Sequence, residues 1–87
     1  MRAERLDALW DTLGPGERSD VDAEAADRLQ AELPFLYRAY EAAKAAGVSE
    51  REMPVAVRST LRAHRHDLLD EREQARGEEA RATVSAG

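Results

Sequence analysis

The large apolar residues of this chain recur every three or four positions, and glycine or proline interrupts them at four places. The interruptions are a Gly-Pro-Gly sequence at 14–16, Pro34, Gly47 and Pro54. Spacing of three or four places side chains on one face of an α-helix. The sequence contains no run of alternating β-branched residues, which is the pattern that predicts a strand. The pattern therefore predicts an all-α protein.

The breaks divide the chain into helices. A first helix is predicted over residues 2–13 and ends at the Gly-Pro-Gly sequence. Ser19 or Asp20 can cap the second helix, because both side chains accept hydrogen bonds from free backbone N–H groups. Pro34 interrupts that helix, since proline removes a hydrogen bond and clashes with the preceding turn. We expect a break or a sharp kink there and a helix end at Gly47.

The last helix has a more complex start. Ser49 and Glu52 have capping-box spacing, and Val48 and Met53 are spaced as a hydrophobic staple. Pro54 falls in what would be the second turn of that helix. A short capped turn, followed by a longer helix from near Pro54, resolves the conflict.

Length and composition limit the size of the core. The chain has 87 residues and no cysteine, so it forms one small domain with neither disulfides nor a thiolate metal site. A core of this size supplies only about 3–5 kcal/mol of net stability. We expect a bundle of three to four short helices over residues 1–76, with a charged, partly disordered and flexible C-terminal extension over 77–87. We expect no cofactor, because so few apolar groups do not build a cofactor pocket.

Neither histidine predicts a metal site. His64 and His66 are two positions apart and point to nearly opposite sides of a helix, so they do not share one ion. No oriented nucleophile and no glycine-rich phosphate loop is present. We expect a protein that is not an enzyme and that takes no small-molecule substrate.

A row of arginines is the most specific surface feature. Heptad spacing keeps such residues on one helix face. The acidic second helix provides one partner for them within the chain, and a solvated face in an arginine-rich composition is another interpretation. The third is a docking face for an acidic partner, because guanidinium groups bind carboxylates in pairs of hydrogen bonds. The row, called the arginine row below, comprises Arg51, Arg58, Arg65 and Arg72 at intervals of seven, with Arg62 beside them.

These features predict a protein-binding module or a regulatory subunit. Its binding face combines the arginine row with an apolar stripe whose 4-3-4 spacing suits helix pairing. The partner is another protein with an acidic surface, or a second copy of the chain. Phe35 points away from the main apolar line and is predicted to be an exposed anchor. The stripe consists of Val57, Leu61, His64 and Leu68.

A helix-turn-helix DNA-binding regulator built on the Gly47 turn is the alternative. The net charge of −5 and the acidic start of the would-be recognition helix argue against nucleic acid. The apolar runs are too short to span a membrane, and the N-terminus lacks the apolar stretch of a signal peptide. We therefore expect a cytoplasmic protein. The use of 12 arginines against one lysine indicates a GC-rich genome, and hence a bacterial or phage origin.

Overall fold

A computed structural model describes residues 1–86, and it describes the side chains of residues 1–79. Within residues 1–86 the elements are α1 (Arg2–Thr12), α2 (Pro15–Glu32), α3 (Pro34–Ala45), a 3₁₀ turn (Glu50–Glu52) and α4 (Val55–Ala86). No strand occurs in this part of the chain. The predicted all-α bundle is confirmed.

The second helix starts earlier than predicted. It begins at Pro15, with Gly14 in an extended conformation before it, so Ser19 and Asp20 lie inside the helix and do not cap it. Proline suits the first helical position because its φ is helical and its missing N–H has no partner there anyway. The Arg18 side chain then donates hydrogen bonds of 3.2 and 3.0 Å to two carbonyls at the end of α1.

The break at Pro34 is confirmed. Leu33 has φ −137° and ψ 69°, outside the helical region. It is both the C-cap of α2 and the N-cap of α3. The residue before proline is pushed out of the α region by the proline ring. The Leu33 N–H still donates to the Leu29 carbonyl at 2.8 Å, so α2 keeps its last hydrogen bond while α3 starts in a new direction.

The segment between α3 and α4 agrees with the sequence prediction in its backbone. Gly47 adopts φ 78°, the left-handed conformation that closes many helices, and the Val48 N–H donates to the Ala43 carbonyl at 3.0 Å. The predicted capping box is wrong, because the Ser49 side chain makes no cap hydrogen bond. The 3₁₀ turn is closed instead by the backbone, where the Glu52 N–H donates to the Ser49 carbonyl at 3.0 Å.

The core lies between α4, α2 and α1. The stripe predicted as a binding face is part of this core. Val57, Leu61 and Leu68 are at most 3% exposed, and His64 is 9% exposed. The helices that cover the stripe belong to the same chain, so the stripe is not available to a partner in this fold. The buried apolar residues are Leu6, Val21, Ala25, Leu29, Met53, Val57, Leu61, Leu68 and Leu69.

The helix α4 continues well past its apolar part. The apolar pattern ends at Leu69, yet the backbone is helical to Ala86. Ion pairs hold this charged segment against the other helices. Arg28 donates two hydrogen bonds of 2.8 and 2.9 Å to Glu71 from α2, and Arg5 donates one of 2.6 Å to the Glu73 carboxylate from α1.

The tail predicted over residues 77–87 starts inside α4. Residue 87 and the side chains of residues 80–86 lie outside the described part of the chain. The flexibility of this tail therefore stays a prediction. None of the helices within residues 1–86 is both long enough and apolar enough to cross a membrane.

Candidate functional site

The arginine row divides into two parts, and its C-terminal part pairs within the chain. Arg65 donates from Nε to Asp22 at 2.6 Å and from Nη1 to Glu50 at 2.8 Å. Arg72 donates to Glu24 at 3.1 Å. The carboxylates of Asp22 and Glu24 lie on α2, as the intramolecular interpretation of the row requires.

The Arg65 pairs are the least exposed of these contacts. The side chain of Arg65 is 16% exposed, and its guanidinium lies over the Trp10 ring at 5.5 Å from the ring centre. Burial opposes the charged form, but the hydrogen bond and the charge of Glu50, together with Asp22, outweigh it and raise the pKa of Arg65. The pair with Glu50 also fixes the 3₁₀ turn against α4.

The arginines in the N-terminal part of the row have fewer carboxylate partners. Arg62 pairs with Asp7 of α1. Arg58 donates only its Nε, to the Met53 carbonyl at 3.0 Å. Arg51 is exposed, and no acidic side chain among residues 1–79 lies within ion-pair distance of Arg51 or Arg58. Two guanidinium groups on this side of the molecule therefore have no carboxylate partner.

Arg51, Arg58 and Arg62 line one cavity of about 320 Å³, called the arginine cleft below. It lies between α1, the 3₁₀ turn and the first half of α4. Four of the five residues of the arginine row meet in it, and Arg72 does not. Its lining residues are Asp7, Trp10, Glu50, Arg51, Arg58, Arg62, Arg65 and His66.

Sequence reasoning did not find Asp7, Trp10, Glu50 or His66 as cleft residues. Three of them come from α1 and from the 3₁₀ turn, and no spacing in the sequence shows which carboxylates face a distant helix. The cleft carboxylate Asp7 accepts hydrogen bonds from Arg62 and from His66 Nε2, the latter at 2.7 Å. The Arg62 bond first, and the His66 bond second, hold the pKa of Asp7 below its usual value.

The two histidines lie on different sides of α4, as their spacing predicts. His66 faces Asp7 on α1. His64 Nε2 lies 3.3 Å from a Glu32 carboxylate oxygen at the end of α2, in a geometry that does not make a hydrogen bond. Among the residues that the structure describes, no three histidine or acidic side chains converge as a metal site requires.

The helix α3 carries the second candidate surface. Its inner residues Leu36, Tyr37 and Tyr40 are only half-buried, and none of its side chains is fully buried. A groove of about 520 Å³ remains between α2, α3 and residues 48–53. The Tyr37 hydroxyl donates to Glu41 at 2.6 Å, which raises the pKa of Tyr37. This hydrogen bond lies within α3 and does not connect α3 to a neighbouring helix.

An uncharged stripe runs along the solvent-facing side of α3, with the exposed Arg38 beside it. Phe35 is 66% exposed, which agrees with its prediction as an exposed residue. Three exposed alanines follow it at intervals of four, three and four. This spacing places them on one helix face. Phe35, Ala39 and Ala42, together with the C-cap residue Ala46, are called the outer face of α3 below.

The connection between α3 and α4 does not have the form that the DNA-binding alternative requires. Residues 46–54 separate the two helices, whereas a helix-turn-helix joins them through three or four residues. Pro54 and the 3₁₀ turn occupy this longer connection.

Comparison with known proteins gives no assignment. No protein family matches the chain, and neither a curated protein nor a solved structure is significantly similar to it.

Proposed function

We propose that this chain is a non-enzymatic protein-binding module that docks an amphipathic helix of an acidic partner on the outer face of α3. One observation carries the proposal. The helix with the smallest share of charged residues, α3, is also the helix without a fully buried side chain. A helix with few charged residues usually buries more of its surface than its more charged neighbours do, because its apolar surface is otherwise exposed to water.

The composition of α3 sets it apart from the other helices. It has three charged residues among twelve, Arg38, Glu41 and Lys44. The neighbouring helix α2 has eight among eighteen and still buries three side chains completely. Apolar surface that the chain itself leaves uncovered is a common mark of a binding site. The alanines of the outer face allow a partner helix to approach closely, since interhelical distance depends on side-chain size.

The charge of α3 favours an acidic partner. Arg38, exposed beside the outer face, has no acidic partner among the described side chains, whereas Lys44 lies on the inner side, over the Tyr40 ring at 5.4 Å. The helix therefore has a net charge of +1 on a chain whose net charge is −5. A partner helix with an apolar face and flanking carboxylates matches both properties. Phe35 provides the anchor, because large aromatic side chains contribute much of the energy at interfaces.

Photo-crosslinking from position 35 tests the proposal. Val55 provides a matched control, because it is also 66% exposed and also lies in the first turn of its helix. A photoreactive phenylalanine derivative replaces Phe35 in one protein and Val55 in the other. Both are added to lysate of the source cells. We expect a distinct product from position 35 only, and excess unlabelled protein should compete with its formation.

The identified partner is then purified and its affinity for the chain is measured. We expect Phe35→Asp to weaken binding at least about tenfold, since an interface anchor contributes more than about 2 kcal/mol. Val55→Asp should leave binding unchanged. Equal loss with both variants, or products in equal amount from both positions, would contradict the proposal. A product formed between two copies of the chain would assign the outer face of α3 to self-association instead.

A further inference from the structure

The arginine cleft contains more positive charge than the chain neutralises. Four guanidinium groups line it. Arg62 pairs with Asp7 and Arg65 pairs with Glu50 and Asp22, whereas Arg51 and Arg58 have no carboxylate partner among the described side chains. Elsewhere on α4 the arginines and carboxylates are paired across the helices, as Arg28 with Glu71 and Arg72 with Glu24 show. The excess is therefore local, on a chain whose net charge is −5.

The excess positive charge comes from identifiable donors. Arg58 uses its Nε on the Met53 carbonyl, and its two terminal nitrogen atoms have no protein acceptor among the described residues. Arg51 donates no hydrogen bond to the described part of the chain. Arg62 uses one terminal nitrogen on Asp7. Planar guanidinium groups with free donors bind oxyanions in pairs of hydrogen bonds.

The size and walls of the cleft favour a small ligand. Its volume of about 320 Å³ is at the lower end of the range of small-molecule sites. A nucleic acid needs an extended basic surface. The carboxylates of Asp7 and Glu50 lie at the cleft and interrupt such a surface. Trp10 adds an apolar wall, and the guanidinium of Arg65 lies over its ring.

We propose that the arginine cleft binds the phosphate group of a small molecule, with Arg51 and Arg58 as its principal ligands. A phosphate monoester has a charge of about −1.5 to −2 near neutral pH, which suits the two arginines that have no carboxylate partner. A single carboxylate would neutralise only one of them. The site lies apart from the outer face of α3, so it does not depend on the protein-binding proposal.

Fluorescence of Trp10 tests the proposal directly, because Trp10 is the only tryptophan of the chain and lines the cleft. The purified full chain is titrated with inorganic phosphate and, separately, with phenyl phosphate, at constant ionic strength set with sodium chloride. We expect a saturable change with both. Tighter binding of phenyl phosphate identifies a phosphate monoester as the natural ligand class, and equal binding identifies free phosphate.

Two variants and one matched control complete the test. Arg51→Gln and Arg58→Gln should each weaken phosphate binding about tenfold, the effect of losing a charge-assisted hydrogen bond. Arg38→Gln is the control, because Arg38 is also an arginine without an acidic partner but lies on α3. It should leave binding unchanged. Circular dichroism checks the fold, and Arg51 is the safer variant, since its side chain makes no hydrogen bond or ion pair with the described part of the chain.

Three results would overturn the proposal. The first is an equal response to chloride alone, which would show general screening. The second is equal weakening by Arg38→Gln, and the third is binding of acetate as tight as that of phosphate. Tighter binding of duplex DNA than of phenyl phosphate, with a steep dependence on salt, would assign the cleft to nucleic acid instead.

Discussion

The helices α2 and α3 meet at Leu33 and use their apolar residues in opposite ways. Eight of the eighteen α2 residues are charged, yet α2 buries Val21, Ala25 and Leu29 completely in the core. The far less charged α3 buries none. The difference shows that composition does not rank helices by burial. A narrow apolar stripe that faces the core is sufficient for α2, whereas α3 has apolar residues on both sides and only one side is covered.

The largest difference between the two helices is expected when a leucine of each is truncated. Leu29→Ala in α2 should destabilise the protein by about 3 kcal/mol, because it leaves a cavity in a closed core. Leu36→Ala in α3 should cost about 1 kcal/mol, since its side chain is only half-buried and the site opens to water. Urea denaturation followed by circular dichroism measures both. Equal losses would contradict the comparison.

Replacing one glycine at each helix by alanine should change the free energy of unfolding in opposite directions. Gly47→Ala at the end of α3 should destabilise by about 1 kcal/mol, because alanine is strained at positive φ. Gly16→Ala in the first turn of α2 should stabilise by up to about 0.5 kcal/mol, since alanine has less freedom to lose than glycine. A Cβ atom meets nothing within 4 Å at either position, so packing does not enter the comparison. Thermal denaturation of the two variants checks the signs.

Acid should weaken the attachment of α1 and α2 to α4 but should not act on α3 in the same way. Hydrogen bonds from Arg5, and then Arg2, lower the pKa of Asp70, and the bond from Arg28 lowers that of Glu71. A lowered pKa in the folded state stabilises the fold above the ordinary value, and the stabilisation is lost as pH falls below it. The ordinary values are 3.8 for aspartate and 4.5 for glutamate.

We therefore expect the urea midpoint to be steady from pH 7 to about pH 5 and to fall below pH 4.5. Asp70→Asn should flatten part of that fall. Because the Asp70 carboxylate is partly exposed and that of Glu71 is mostly exposed, the effect of each is small and decreases with added salt. A midpoint that rises on acidification, or an unchanged slope in Asp70→Asn, would show that these ion pairs do not contribute.

The smallest effect on stability is expected at Phe35. Its ring is mostly exposed, so Phe35→Asp should change the free energy of unfolding by no more than about 0.5 kcal/mol. The same substitution should weaken partner binding strongly, as proposed above. A large loss of stability would mean that Phe35 belongs to the core, and the outer face of α3 would then have no free anchor. Calorimetry on Phe35→Asp and Val55→Asp together makes this check.

Much of the backbone was predictable because local chemistry determines it. Proline ends α2 and glycine ends α3 through their own φ preferences, at Pro34 and Gly47. The start of α2 lies earlier than the sequence predicts, because Pro15 both follows the end of α1 and is the first residue of α2. The full length of α4 exceeds what the apolar pattern predicts, for a different reason. Its charged part is held by ion pairs with α1 and α2, and apolar spacing carries no signal of them.

The surfaces were less predictable because they depend on which helices meet. The stripe of Val57, Leu61, His64 and Leu68 has the spacing of a helix-pairing face, and it does pair, but with helices of its own chain. Spacing alone does not distinguish an internal partner from an external one. Heptad spacing did place the arginines together. Only the fold shows that Arg65 meets Asp22 while Arg51 meets no carboxylate among the described side chains.

The central claim is that α2 is packed fully into the core, whereas α3 is packed only in part. Amide hydrogen exchange under native conditions tests this claim most directly. Protected amides of a core helix exchange only through global unfolding, whereas a helix outside the core opens locally at lower free energy. We predict that residues 24–29 of α2 exchange with the global free energy of unfolding and that residues 38–45 of α3 exchange at a clearly lower value. Equal exchange free energies in the two helices would contradict the account.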